Sequence, residues 1–137
     1  MPTNSLSDIV AKMRRVFLTR YFSRWLRKTE LSVDALCKAV QEMERGLIDA
    51  NLGGAIMKKR VALPGRGKRG SARTLVATNN SNRWFFLFGF EKNERDNITV
   101  KELSALRALA ADFLQMDIVR LEAAVAAKTL QEICHEN

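Results

Sequence analysis

The run Trp84-Phe85-Phe86-Leu87-Phe88-Gly89-Phe90 constrains this chain more than any other stretch. It is too densely apolar for a strand with one wet face and too short for a typical helix. Such a run reads as a central β-strand buried on both faces. Alternation places Trp84, Phe86 and Phe88 on one face and Phe85, Leu87 and Gly89 on the other. Core packing, rather than stacking on nucleobases, is the expected role of these rings. The run is also the longest apolar stretch of the chain, and it is too short to span a bilayer.

Further strands are expected beside it. Residues 56–63 and Ser71 to Thr78 read as two strands joined by the loop Pro64-Gly65-Arg66-Gly67-Lys68-Arg69-Gly70. Asn79-Asn80-Ser81-Asn82 is a turn signal leading into the aromatic run, so the order suggests an antiparallel meander. Upstream, Arg14 to Thr19 suits a short strand. Phe22, Trp25 and Leu26 then form one face of a short helix, and Arg20, Arg24, Arg27 and Lys28 form the other. Ser32 is a good N-cap for a second helix, with Asp34 in its first turn. Its apolar stripe is Val33, Leu36, Cys37, Val40, Met43 and Leu47. Gly46 weakens that helix and Gly53-Gly54 stop it, which suggests an αα-hairpin. Downstream, Thr99 and Glu102 match a capping box before the stripe Leu103, Leu106, Ala110 and Phe113. Asp117 starts a further helix carrying Leu121, Ala124 and Val125. The expected fold class is α+β: an N-terminal helical hairpin packed on a small twisted antiparallel sheet, with a C-terminal helical extension. Residues 1–12 read as a flexible leader, 13–114 as the core domain and 115–137 as the extension.

Charge is distributed unevenly along the 137 residues. Residues 1–95 hold 19 Lys or Arg against 8 Asp or Glu, a net of +11, whereas residues 96–137 hold 4 against 7, a net of −3. A field of this sign favours a polyanion such as RNA or DNA, an anionic membrane or an acidic protein. Ile56 to Val76 concentrates it: Lys58, Lys59, Arg60, Arg66, Lys68, Arg69 and Arg73, with no acidic residue. Strand alternation puts Lys58 and Arg60 on one face and Lys59 on the other. The glycine-rich loop can bring backbone N–H groups to a phosphate, and arginine suits bidentate phosphate contact. A solvated basic face is the plainer alternative. The loop lacks a Walker pattern, so nucleotide hydrolysis is not expected.

The two cysteines, Cys37 and Cys134, read as free thiols suited to a reducing compartment, with Cys37 buried on its helical stripe. The only histidine, His135, adjoins Cys134 in the tail, so no metal-ligand spacing exists. Neither metal nor cofactor is expected. The first twelve residues lack the apolar core of a secretory signal, and the expected address is the cytoplasm with no membrane partner.

Residues 58–98 carry a family resemblance. Lys59-Arg60-Val61, then Pro64-Gly65-Arg66-Gly67-Lys68-Arg69-Gly70, Arg73-Thr74-Leu75 and Gly89-Phe90-Glu91-Lys92-Asn93-Glu94-Arg95-Asp96-Asn97-Ile98 resemble one branch, RelE/HigB-like, of the RelE/ParE toxin superfamily. Glu44 to Gly54 looks like the same branch, and the match runs from about Met13 to about Leu114. The resemblance implies a helical hairpin on a twisted antiparallel sheet. It also implies silencing by a cognate antitoxin, often of helix-turn-helix type. RelE-like toxins cut mRNA, usually on the ribosome, by attack of a ribose 2′-hydroxyl on the adjacent phosphate, without a metal.

Carried over residue by residue, the resemblance implies that Arg73 stabilises charge on the phosphorane. Lys92 and Arg95 follow the aromatic strand where such toxins place a terminal functional group. Arg60 and Lys58, with Arg66, Lys68 and Arg69 of the loop, would hold neighbouring phosphates. Glu94 is the one carboxylate to nominate as a base; its alternative role is an ion pair with Arg95 or Lys92. The chain departs from many nucleases of the superfamily: residues 71–134 hold no His or Tyr, and the family's aromatic position before the strand arginine is Ala72. Tyr21 is expected to pack on the hairpin. Two other readings stay open: a ParE-like gyrase inhibitor, which needs no nuclease residues, and a non-catalytic nucleic-acid or protein-binding module of the same fold.

Overall fold

A computed structural model describes residues 13–65 and 70–135. The leader 1–12 and the loop cations Arg66, Lys68 and Arg69 lie outside the described residues. The chain order is β1 (Arg15–Thr19), α1 (Arg20–Leu26), α2 (Val33–Glu44), β2 (Ala50–Gly53), β3 (Ile56–Ala62), β4 (Ser71–Thr78) and β5 (Arg83–Glu91). Then follow α3 (Val100–Leu114), α4 (Ile118–Ala126) and β6 (Leu130–Ile133). The six strands form one sheet in the order β2-β3-β4-β5-β1-β6.

Local chemistry explains most of these boundaries. Thr19, Ser32, Thr99 and Asp117 each cap a helix by accepting a backbone N–H with the side-chain oxygen. Thr99 and Glu102 complete the capping box. In the turn before β5, Asn79 Oδ1 accepts from the amides of Ser81, Asn82 and Arg83, while Asn80 takes the left-handed conformation with φ 59°.

The meander β3 to β5 is antiparallel as expected, β2 adds an antiparallel strand where the second helix was expected to continue towards Gly53, and the sheet as a whole is mixed. β1 runs parallel to β5, with Val16 opposite Trp84 and Leu18 opposite Phe86, and β6 is antiparallel to β1. The reason is tertiary. β5 is the most apolar strand and needs a neighbour on each edge, and β1 supplies the second one with Phe17 and Leu18, both fully buried.

Helices cover both faces. α1 and α2 lie on one side, where Phe22, Leu36, Val40 and Met43 meet Val16, Leu18, Val76, Trp84 and Phe86. α1 packs on β5, β1 and β6, and α2 packs on β3. α3 and α4 close the other side, where Ala110, Phe113 and Leu121 meet Phe17, Ile56, Leu75, Phe85 and Leu87.

The simple alternation expected along β5 fails at Leu87. Phe86 pairs with Val76 and Phe88 with Leu75, so Leu87 is an extra residue in a β-bulge. Past it the faces exchange. Phe88 joins the side of Phe85 rather than that of Phe86, and Gly89 turns towards α1. A Cβ on Gly89 would lie 2.5 Å from Trp25 Cζ3, so only glycine lets the indole lie against the strand.

The C-terminal extension also differs from expectation. It begins with α4 but ends in a strand, β6, on the edge of the sheet. Lys128, with φ 62°, makes the left-handed turn that stops α4, and the amide of Thr129 bonds to Ala124 O. Arg15 then clamps β6 to β1, donating from Nε and Nη2 to the two oxygens of Glu132, both at 2.8 Å.

The free-thiol expectation is corrected as well. Cys37 and Cys134 form a disulfide, with Cα atoms 5.5 Å apart across 97 residues of sequence. Pairing of β6 beside β1 delivers Cys134 to the face on which α2 carries Cys37.

Two outcomes follow for stability. In the chain-entropy model a cross-link closing a loop of this order contributes roughly 4–5 kcal/mol. Urea denaturation of Cys37→Ser, or of the native chain under reductant, should show most of that loss; identical curves with and without reductant would contradict the cross-link. Hydrogen bonding from Arg15 holds the Glu132 carboxyl below its ordinary value of 4.5. Its contribution is therefore complete above that pH and disappears as pH falls through the depressed value. Glu132→Gln should flatten the acid limb of a plot of stability against pH, leaving the neutral-to-acid difference smaller than in the native chain.

Candidate nucleic-acid interface

The register of β3 and β4 places Arg60 opposite Arg73. Ile56 and Leu75 belong to the core under α3, so Lys58, Arg60 and Arg73 occupy that same face by alternation. Arg73 in turn lies opposite Phe90 on β5. Lys58 and Arg73 are half-buried and Arg60 is exposed. Three cations thus share one open stretch of sheet with an aromatic ring beside them.

Like charges directly opposite each other on paired strands repel. Asp49 moderates this on one side: its carboxylate accepts from the Arg60 backbone amide at 2.6 Å and from Arg60 Nε at 3.3 Å. Among the described residues Arg73 has no such carboxylate. Its Nη1 donates to the Ser71 carbonyl, at 3.3 Å. Lys58 and Lys92 form no ion pair among the described residues. Lys59 belongs to the opposite face, where it is 8% exposed, pairs with Glu42 at 3.0 Å and donates to Leu47 O at 2.8 Å. The division between Lys58 and Arg60 on one side and Lys59 on the other matches the expectation from alternation.

Beyond β5 the chain turns over Glu91 to Arg95. Glu94 closes this turn by accepting the Glu91 amide at 2.6 Å, and it also accepts the Trp25 indole N–H at 3.3 Å. The expected ion pair with Arg95 or Lys92 is not formed, because this carboxylate holds the turn against α1. Arg95 instead donates from Nη1 to both oxygens of Glu102 at 2.8 Å and lies 5.6 Å from the centre of the Phe88 ring. The Thr99 amide, then Arg95, lower the Glu102 carboxyl below its ordinary value. Lys92 is exposed on the same turn.

Several residues at this site were missed from sequence. Asp49 and Glu102 hold the two arginines, and Phe88 reaches this face only because of the bulge. Tyr21, expected to pack on the hairpin, is 58% exposed and stacks on Phe88, with ring centres 5.5 Å apart and planes 13° apart. None of these pairings has a local sequence signature. Among the described residues no helix is long and apolar enough to cross a membrane. No group of three or more His, Cys, Asp or Glu side chains there could hold a metal ion.

Comparison with protein-family models matches residues 14–133 to the RelE toxin of the RelE/RelB toxin–antitoxin system. The chain belongs to the RelE toxin family. No curated protein matches it. As a RelE-family chain it is the toxin of a toxin–antitoxin system, and an antitoxin is its partner. The matched span covers all six strands of this RelE-family toxin, β6 included, and every described cation of the open face.

Glu102 has two tasks in this toxin, as the acceptor of the capping box and as the partner of Arg95. Glu102→Ala should therefore lower the thermal midpoint more than Glu102→Gln, since Gln keeps an oxygen for the Thr99 amide but not the charge. Equal midpoints for the two variants would argue against the box.

Proposed function

We propose that this toxin is an endoribonuclease that cuts mRNA on the ribosome without a metal, stopping translation until its antitoxin, of helix-turn-helix type, neutralises it. The observation that carries this reading is the cross-strand pair Arg60–Arg73, flanked by Lys58 and Phe90 on an open face. A repulsive pair of this kind becomes favourable when an anion bridges it. Single-stranded RNA supplies closely spaced phosphates, and a ribosome-bound message presents them unpaired.

In the proposed reaction the ribose 2′-oxygen attacks the adjacent phosphorus, and the bond from phosphorus to the 5′-oxygen breaks. The products are a 2′,3′-cyclic phosphate and a 5′-hydroxyl. The 2′-hydroxyl proton leaves during attack, and the departing 5′-oxygen takes one up. Arg73 binds the non-bridging oxygens as their charge grows. Lys92 lies beyond β5 with no ion pair among the described residues, free to approach the reacting phosphate. Arg95, held by Glu102, orients the strand rather than exchanging protons. Lys58 and Arg60 hold a neighbouring phosphate, and Arg66, Lys68 and Arg69, which follow β3 in sequence, bind further phosphates.

Arg73→Ala combined with Lys92→Ala should reduce mRNA cleavage by about 10²–10³-fold, the usual loss when an oxyanion-stabilising donor is removed. Cells producing the double variant should keep translating. Cleavage by the native chain should persist in a chelator. Undiminished cleavage by the double variant would sink the assignment. Intact messages together with DNA damage in cells producing the native chain would point to gyrase instead.

A further inference from the structure

We propose that Tyr21 is a stacking platform for an unstacked nucleobase of the RNA held at Arg73, in the groove between its ring and α3. This rests on the RNA reading above and adds a base-binding subsite to it.

Tyr21 is not needed in the core. On α1 the buried ring is Phe22, which contacts Phe86, and Trp25 fills the space over Gly89. Tyr21 is instead 58% exposed while one face of its ring lies nearly parallel to Phe88. A ring in that position is held by one stack and leaves its other face open. Orientation is already set, so a flat ligand meets a rigid partner and little side-chain freedom is lost on binding.

The surroundings suit a heterocycle. Tyr21 and Phe88 border a groove of about 470 Å³ whose other wall is α3, with Leu106 and Leu109. Most of the lining is apolar, and Arg20 and Glu102 supply polar groups within it. Apolar walls with a few directed polar groups are the usual make-up of a site for a flat aromatic ligand. Glu102 can accept an exocyclic amine, and Arg20 can donate to a base carbonyl.

Continuity with the phosphate site favours a base of the same strand over a separate ligand. Phe88 and Phe90 have ring centres 6.1 Å apart, and Phe90 is the cross-strand partner of Arg73. Arg95 lies over the same Phe88 ring, 5.6 Å from its centre. Phe90 is buried and links the two regions, while Tyr21 is the exposed ring; cations beside an exposed ring are how proteins track a single strand, with phosphates on the charge and bases on the ring.

The test uses the full chain and short single-stranded RNAs made entirely with 2′-O-methyl ribose, which cannot undergo 2′-oxygen attack. 2-Aminopurine is placed at each position in turn. The native chain should quench the probe strongly at one position. Tyr21→Phe and Tyr21→Trp should retain that quench, whereas Tyr21→Ala should lose it with an affinity about tenfold weaker, in the range of one base–aromatic stack. Arg73→Ala should weaken binding and lower its salt dependence for every probe position. Because Tyr21 is exposed, unchanged thermal midpoints confirm that the variants are folded. Binding that depends on Arg73 but is unaffected by Tyr21→Ala would overturn the Tyr21 assignment alone. A native chain that binds none of these RNAs would overturn the RNA reading and this proposal with it.

Discussion

Burial of β5 on both faces is the constraint on which the rest of the molecule depends. Trp84, Phe85, Phe86 and Leu87 are all about fully inaccessible, and no single layer of helices could cover them. One set needs α1 and α2, and the other needs α3 and α4. Both edges of β5 must also be hydrogen-bonded, since unpaired backbone groups are costly in an apolar setting. β4 satisfies one edge and β1 the other, which is why the sheet is mixed. The bulge at Leu87 then directs what happens beyond the core. It turns Phe88, half-buried, to the face of Arg73 and presents Gly89 to Trp25, so one extra residue decides which face each ring beyond it joins.

The charges on this face are arranged by how strongly each is already satisfied. Arg60 leans on Asp49 and Arg95 on Glu102, while among the described residues Arg73 has only a carbonyl. Lys59, close to them in sequence, is neutralised by Glu42 on the far side and belongs to the scaffold. Cations with partners are oriented in advance, and those without retain their attraction for an incoming anion. An open cationic face of this kind fits a toxin whose activity is held in check by a protein partner.

The C-terminal segment completes the sheet rather than decorating it. β6 covers the outer edge of β1, the Arg15–Glu132 pair fixes its register, and the Cys37–Cys134 disulfide ties it to α2. Arg15 also bonds to Glu122 on α4, so one guanidinium joins β1, α4 and β6. Opposite it in β5, burial and then the nearby Arg15 lower the Arg83 pKa. That follows from placing two arginines side by side at the start of a parallel pair.

Local chemistry alone determined much of this protein. The caps at Ser32, Thr99 and Asp117, the asparagine turn, the hairpin of β3 and β4 and the buried aromatic strand depend on residues close in sequence, and each was legible there. So was the separation of Lys58 and Arg60 from Lys59, because strand alternation holds where no bulge intervenes. Tertiary structure decided what depends on distant partners. α4 ends at Ala126 and the chain reverses at Lys128, a non-glycine in the left-handed conformation that leaves no sequence signal, so β6 was hidden. Without β6, neither the disulfide nor the Arg15–Glu132 pair could be foreseen. The bulge at Leu87 is set by pairing with β4, and only that pairing brings Phe88 beside Tyr21. Contacts across tens of residues are selected by how whole layers pack, and no short stretch of sequence encodes that choice.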